Sequence, residues 1–170
     1  MLSFTHATFS ATITALFLNN AVAAAIGAVA GLLPDLDTPR SLAGRLLFPV
    51  SGWLSRWGHR QVTHSLIGSG VFAVFTLPVL FWGVTGYLAL QIGYGCGWLL
   101  DAASKTGVPA LYPSPRRLVF PLDPEFRLRT GSLTERILQG VFVCAAAGGR
   151  AAVGGRGWHG GDVPQSLGHP

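Results

Sequence analysis

Two long stretches of the chain carry no charged side chain. Residues 1–34 contain no Asp, Glu, Lys or Arg, and neither do residues 61–100. Only 11% of the residues are charged and 49% are hydrophobic, whereas soluble globular domains carry roughly a quarter charged residues. Uncharged stretches of this length are typical of helices that cross a membrane core of about 30 Å. The sequence therefore predicts an all-α, polytopic membrane protein with about three to five membrane helices and interfacial loops.

The apolar blocks can be divided at polar and Gly-rich positions. Residues 7–33 are apolar or small, and the pair Asn19-Asn20 interrupts them. This block is either one long helix with a polar spot or two shorter helices joined by a turn. Residues 65–102 predict a hairpin of two spanning helices that turns near Gly83.

The basic residues lie between the apolar blocks. Lys and Arg together number 12, against 7 Asp and Glu, and most of them fall in residues 34–64 and 103–136. A hairpin between these segments places both on one face, and their positive charge predicts that this face is cytoplasmic. No basic run with interleaved aromatic residues occurs, so we expect no nucleic-acid partner. The expected location is the inner (cytoplasmic) membrane, as a multi-pass protein whose partner is the lipid bilayer.

The end of the chain differs in composition from the rest. Residues 137–147 are apolar, but the following segment is rich in Gly and polar residues. We expect a membrane-embedded domain over residues 1–147 and a Gly-rich, disordered tail over residues 148–170.

Three acidic side chains stand at the predicted ends of apolar helices. Asp35, Asp37 and Asp101 are the only acids in the first 122 positions. A carboxylate at a membrane boundary is costly unless it is paired or hydrated, so solubility does not explain these three. In an extended segment Asp35 and Asp37 would point the same way and could converge on one cation. The alternative is an Asx turn or cap beside Thr38.

Two histidines follow on the same predicted face. Alone, His59 or His64 is as well explained by an interfacial side chain or a helix cap. Together with the aspartates they indicate a site for a divalent metal ion, because imidazole nitrogen and carboxylate oxygen suit zinc, with manganese or iron as alternatives. The predicted ligands from the residues themselves are Asp35, Asp37, His59, His64 and Asp101.

The segments LLPDLDTPRSLAGR, GHRQVTHSL and GYGCGWLLDAASKTGVPALYP carry a family resemblance. The chain resembles the YdjM-like family of inner-membrane proteins described as metal-dependent hydrolases, over about residues 4–125. The resemblance adds His6 to the metal ligands, through the family's N-terminal His. His6 can reach the others only if the chain turns at Asn19-Asn20.

One position departs from the family pattern. Four residues before Asp101 the family has a His, and this chain has Gly97. Positions i and i+4 share a helix face, so the family His would present a ligand beside Asp101, and Gly97 cannot. We expect weaker metal binding, one ion instead of two, or lost activity. Gly93 and Gly97 also form a spacing that allows close helix contact.

The predicted function is a membrane-bound metal-dependent hydrolase with its site at the cytoplasmic face. The expected substrate is a phosphoester, carried by a lipid because the site lies at the depth of the headgroups. Asp37 and His64 are assigned catalytic roles, because a carboxylate or an imidazole can act as general base. The alternative is a non-catalytic membrane protein with a structural or degenerate metal site, which Gly97 favours. A transporter is disfavoured because no acid lies in mid-span.

Overall fold

The computed structural model describes residues 2–39, 41–57 and 61–154. Within these ranges the chain forms helices, turns and two isolated β-bridges, without a strand, as an all-α fold requires. The α-helices are α1 (Ser3–Leu18), α2 (Ala21–Ala30), α3 (Leu42–Leu46), α4 (Phe48–Leu54), α5 (Leu66–Phe75), α6 (Val84–Ala102) and α7 (Leu133–Gly154). Short 3₁₀ helices cover Leu33–Asp37, Ser55–Trp57, Leu77–Trp82 and Pro124–Phe126.

The prediction of a polytopic membrane fold is wrong. In the part of the chain that the structure describes, no helix combines the length and the apolar character needed to cross a bilayer. Local breaks divide the apolar blocks. Asn19 adopts the left-handed conformation (φ 47°, ψ 41°) after α1, and the Asn20 side chain accepts a hydrogen bond from the Ala23 N–H at 2.9 Å to start α2. Pro78 has no N–H to extend α5, so a separate 3₁₀ helix follows.

Helices α2 and α6 meet backbone to backbone. Gly93 lies against Gly27, and a Cβ built on Gly93 would fall 2.7 Å from the Gly27 Cα. One helical turn further along, Gly97 lies against the carbonyl of Gly31. Only glycine permits this approach, because any side chain here would overlap the facing backbone.

Helix α1 covers the same glycines with small polar side chains. Thr14 fills the space beside Gly27, and Ser10 fills the space beside Gly31. Ser10 Oγ also donates a hydrogen bond to the Gly93 carbonyl at 3.2 Å. Helix α1 therefore packs against both α2 and α6 over their crossing.

Helix α7 packs along α1 on another side. The Phe9 and Phe142 rings lie 5.0 Å apart, and Thr12 Oγ1 donates to the Phe142 carbonyl at 3.0 Å. This helix continues to Gly154, so the predicted domain boundary at residue 147 falls inside it. Residues 155–170 of the predicted tail lie outside the described residues.

Replacing Gly93 with Ala should destabilise the fold by about 1–3 kcal/mol, because the added methyl group overpacks the α2–α6 crossing. Gly95 lies in the same helix with no atom within 4 Å of a built Cβ. Gly95→Ala is therefore the matched control, and it should be neutral or slightly stabilising. Thermal unfolding of both detergent-purified variants, followed by circular dichroism, measures the difference. Equal melting temperatures would contradict the close crossing.

Candidate metal centre

Two histidines and two aspartates meet where α1 begins and where α2 and α6 end. His6 Nε2 lies 3.4 Å from Asp101 Oδ1 and 3.8 Å from Asp35 Oδ2. His64 Nε2 lies 3.1 Å from Asp101 Oδ2 and 3.6 Å from Asp35 Oδ1. We call these four residues the His/Asp cluster. Each imidazole therefore approaches a different oxygen of the same two carboxylates.

Small-residue packing explains why these side chains meet. On α6, Asp101 lies one turn beyond Gly97. Asp35 comes after Gly31 in the chain and belongs to the 3₁₀ helix Leu33–Asp37. On α1, His6 lies one turn before Ser10, which faces Gly31. The close helix contacts thus continue directly into the cluster, so its geometry depends on them.

The His/Asp cluster is buried and its carboxylates are held in the charged form. His64 and Asp101 are 0% exposed, and His6 and Asp35 are 1% and 7% exposed. Burial by itself would raise the pKa of Asp101, but His6 and the hydrogen bond with His64 lower it well below its usual range. Burial likewise opposes ionisation of Asp35, and its neighbours His64 and His6 still lower its pKa. These buried carboxylates are therefore stabilised by positive charge from their surroundings, which the imidazoles or a bound cation can supply.

The hydrogen bonds of Thr63 define the tautomer of His64. Thr63 Oγ1 donates to Asp37 Oδ2 at 2.8 Å and lies 3.0 Å from His64 Nδ1. A hydroxyl has one hydrogen, and a carboxylate only accepts, so His64 Nδ1 must donate to Thr63. His64 Nε2 then either carries a proton or offers its lone pair to a cation between the two aspartates. Burial would lower the pKa of His64, and its contacts with Asp101 and Asp35 raise it.

The surroundings of His6 also indicate a cation site, as those of His64 do. Both of its ring nitrogens are buried without a hydrogen-bond partner, although an unpartnered buried polar group costs about 1–3 kcal/mol. One ligand atom from each of His6, Asp35 and Asp101 lies within 4.8 Å of the others. Around a tetrahedral zinc ion, neighbouring ligand atoms are about 3.3 Å apart. The distances of 3.4 and 3.8 Å from His6 Nε2 to the carboxylates of Asp101 and Asp35 fit such an ion.

The structure brings some of the predicted site residues together and places others away from them. It brings Asp35, His64 and Asp101 together, and His6 joins them because the chain turns at Asn19. Asp37 instead contacts Thr63 and accepts a hydrogen bond from Thr38 Oγ1 at 3.1 Å. The predicted extended segment is a 3₁₀ helix, where residues turn by about 120° each, so side chains two positions apart diverge. His59 lies outside the described residues.

The comparisons with known proteins agree with these motifs. Residues 1–160 match the family described as YdjM inner membrane protein. The chain belongs to this family. The uncharacterized protein YvsG of Bacillus subtilis (strain 168) is 34% identical over 124 residues, which cover 68% of this chain and 69% of YvsG. The inner membrane proteins YdjM of Escherichia coli (strain K12) and Shigella flexneri are each 35% identical over 121 residues, covering 68% of this chain and 57% of the relative. No solved structure matches the chain.

The family resemblance marks position 97 as a ligand position, and this YdjM family member uses it for packing. A Cβ on Gly97 would overlap the Gly31 carbonyl and lie 3.1 Å from Pro34 Cγ. An imidazole there would have to separate α2 from α6. The neighbouring Cys96 is not among the residues whose ligand atoms converge, and burial raises the pKa of its thiol to about 11.

Glu135 is a buried acid that the sequence analysis missed. Its carboxylate accepts hydrogen bonds from the Leu2 N–H and Thr5 Oγ1, both at 2.9 Å, and from the Gly131 N–H at 2.6 Å. It thereby ties the start of α7 to the residues just before His6. The spacing of Ser132 and Glu135 is that of a capping box, which predicts a carboxylate bonded to backbone N–H groups. Nothing in that pattern indicates the contact with α1.

Glu135→Gln should lower the free energy of unfolding at neutral pH by about 1–3 kcal/mol, because charge-assisted hydrogen bonds are lost. Burial would raise the pKa of Glu135, but the Leu2 and Gly131 N–H groups and Thr5 lower it from its ordinary 4.5. The ionised group therefore stabilises the fold above pH 4.5, and this stabilisation is lost as the pH falls through the lower folded pKa. Thermal unfolding at several pH values measures the gap between wild type and variant, which should shrink in acid. The exposed Glu125→Gln variant should show no gap.

Proposed function

We propose that this protein is a metal-dependent hydrolase of the inner membrane that acts on phosphoesters. The observation that carries the proposal is His6, whose ring nitrogens are buried without a hydrogen-bond partner and whose Nε2 faces the carboxylates of Asp35 and Asp101. A divalent cation would take the lone pair of Nε2 and neutralise the carboxylates at once. The names of the relatives from Escherichia coli and Shigella flexneri support the membrane location.

The donor set favours zinc in an open, catalytic arrangement. His6, Asp35 and Asp101 supply three ligand atoms, which is the usual protein ligand number of a catalytic zinc ion. His64 approaches the opposite oxygens of the same carboxylates. A second ion, if bound, would be held by His64 together with Asp35 and Asp101, and manganese or iron also accept these donors.

Residues of this chain can bind and release protons next to this ion. A bound metal lowers the pKa of coordinated water toward about 7 and polarises a phosphoryl oxygen. When no second ion is present, His64 Nε2 holds or releases a proton between Asp35 and Asp101. Asp37 acts through Thr63, which orients the His64 ring. Asp37 is thus a positioning residue in this proposal, and His64 is the general acid or base.

A non-catalytic protein with a structural metal site is the second candidate. The observation that favours it is the burial of the whole His/Asp cluster, of which no residue is more than 7% exposed. A structural site would bind metal and hydrolyse nothing. Assays of zinc- and manganese-loaded protein against phosphomonoesters and phosphodiesters separate the two. Metal retention without turnover of either class would favour the structural site.

Replacing Asp101 with Asn should abolish stoichiometric metal binding, because a buried carboxylate shared by both imidazoles is lost. His6→Gln should lower metal content as well, since it removes a ligand of the same ion. Mass spectrometry of metals in detergent-purified protein measures both. Asp123→Asn is the control, because Asp123 is exposed and only caps the Glu125 N–H. Wild-type metal content in Asp101→Asn would reject the metal centre.

Thr63→Val should weaken binding of an ion held by His64 together with Asp35 and Asp101 by about 10–100-fold, as loss of a hydrogen bond to a ligand commonly does. The variant keeps the shape of the side chain but frees His64 Nδ1 and removes a donor to Asp37. Competition with a chelator measures the affinity. Thr8→Val is the control, since Thr8 Oγ1 bonds only to the Phe4 and Thr5 carbonyls of its own helix. An equal loss in both variants would show that His64 orientation is not the cause.

A further inference from the structure

A cavity is lined by residues that are close in sequence to two members of the His/Asp cluster. It is a cavity of about 410 Å³, within the range of about 300–1,000 Å³ that small-molecule sites occupy. Its walls are mostly apolar, and two arginines stand among them. The lining includes Leu66, Trp98, Leu111, Leu118, Arg116 and Arg117.

The elements that build the His/Asp cluster also build this cavity. Leu66 follows His64 by two residues, and its N–H donates to the Ala110 carbonyl at 2.9 Å. Trp98 lies three residues before Asp101 on α6, on the helix that carries both sites. Trp98 Nε1 donates to Ser69 Oγ at 2.9 Å, which fixes the indole ring as a wall. The cavity and the cluster therefore share the segment at the start of α5 and the last turns of α6.

The two arginines lack negative partners within the described residues. Arg117 Nη1 donates to the Thr106 carbonyl at 3.3 Å, which holds the guanidinium and leaves further N–H groups available. Arg116 makes no ion pair with a described acid, and no acid lines the cavity. Paired guanidinium groups beside apolar walls are complementary to a phosphate attached to a hydrocarbon chain.

Exposed apolar side chains that follow the cavity residues in the chain favour a lipid over a free phosphate. Phe120, Leu122 and Phe126 come soon after Arg116, Arg117 and Leu118 in the sequence and are 69%, 85% and 73% exposed. Exposed large apolar side chains close to arginines are typical of a segment at a lipid headgroup layer. An acyl chain in the cavity would then leave its headgroup at the arginines.

We propose that this cavity binds an anionic phospholipid, with its phosphate on Arg116 and Arg117 and an acyl chain against Leu66, Trp98, Leu111 and Leu118. The inference deepens the proposed function, because the bound lipid would be the phosphoester substrate of the proposed metal centre. Lipid binding itself needs no metal ion.

The test is equilibrium binding of fluorescent phosphatidylglycerol to the full chain in detergent micelles containing EDTA. Phosphatidylglycerol should bind more tightly than phosphatidylcholine, whose headgroup has no net charge. The double variant Arg116→Gln/Arg117→Gln should weaken phosphatidylglycerol binding by about tenfold, since two exposed arginine–phosphate contacts are lost. Arg129→Gln removes the same charge outside the cavity and should leave binding unchanged.

Three results would overturn the cavity assignment. Equal losses in Arg129→Gln and the double variant would reduce it to general surface charge. Equal affinity for the two phospholipids would remove the role of the arginines. Displacement by inorganic phosphate as effective as that by unlabelled phosphatidylglycerol would mean that the site takes free phosphate.

The Asp101→Asn variant separates this inference from the proposed function. It should lose metal and retain phosphatidylglycerol binding. A wild-type protein that holds metal and hydrolyses phosphoesters but shows no lipid preference would reject the cavity alone. A wild-type protein that binds phosphatidylglycerol but holds no metal would reject the proposed function alone.

Discussion

At the α2–α6 crossing the two backbones are in contact, because Gly27 and Gly31 lie against Gly93 and Gly97. This contact sets the distance between the helix ends that carry Asp35 and Asp101. Wider spacing would draw the two carboxylates away from the imidazoles that now lie within 3.8 Å of them. The arrangement of the cluster is thus a consequence of glycine packing one and two turns away.

The glycine packing brings the negatively charged carboxylates of Asp35 and Asp101 close together in a buried position. At an effective dielectric constant near 20, two charges about 4 Å apart repel by about 4 kcal/mol. The protein holds both carboxylates ionised there through His6 and His64, as the lowered pKa values of Asp35 and Asp101 show. The small side chains of Ser10 and Thr14 on α1 also contribute, because they allow α1 to pack closely on the crossing and so bring His6 near the carboxylates.

The sequence predicted the residues of the cluster better than the fold around them. Asp35 and Asp101 could be found because acids are scarce in apolar surroundings, and that signal needs no coordinates. The orientation of Asp37 could not, because an extended segment and a 3₁₀ helix place the same residues on different sides. The helix lengths predicted from hydropathy were too long. Hydropathy contains no information on the left-handed conformation of Asn19 or on the missing N–H of Pro78, and the helices end near these residues. Glu135 depends on a contact with α1 that lies about 130 residues away in sequence.

Gly97 has a packing role in addition to being a departure from the family motif. Read as a missing ligand, it implies a degenerate site. In this structure the same glycine admits the Gly31 backbone and so helps to position Asp101, one turn further along α6. His6, Asp35 and Asp101 still provide three converging donors, with His64 on the far side of both carboxylates. Because a catalytic zinc ion needs only three protein ligands, a fourth imidazole is not required, and the glycine is compatible with the proposed activity.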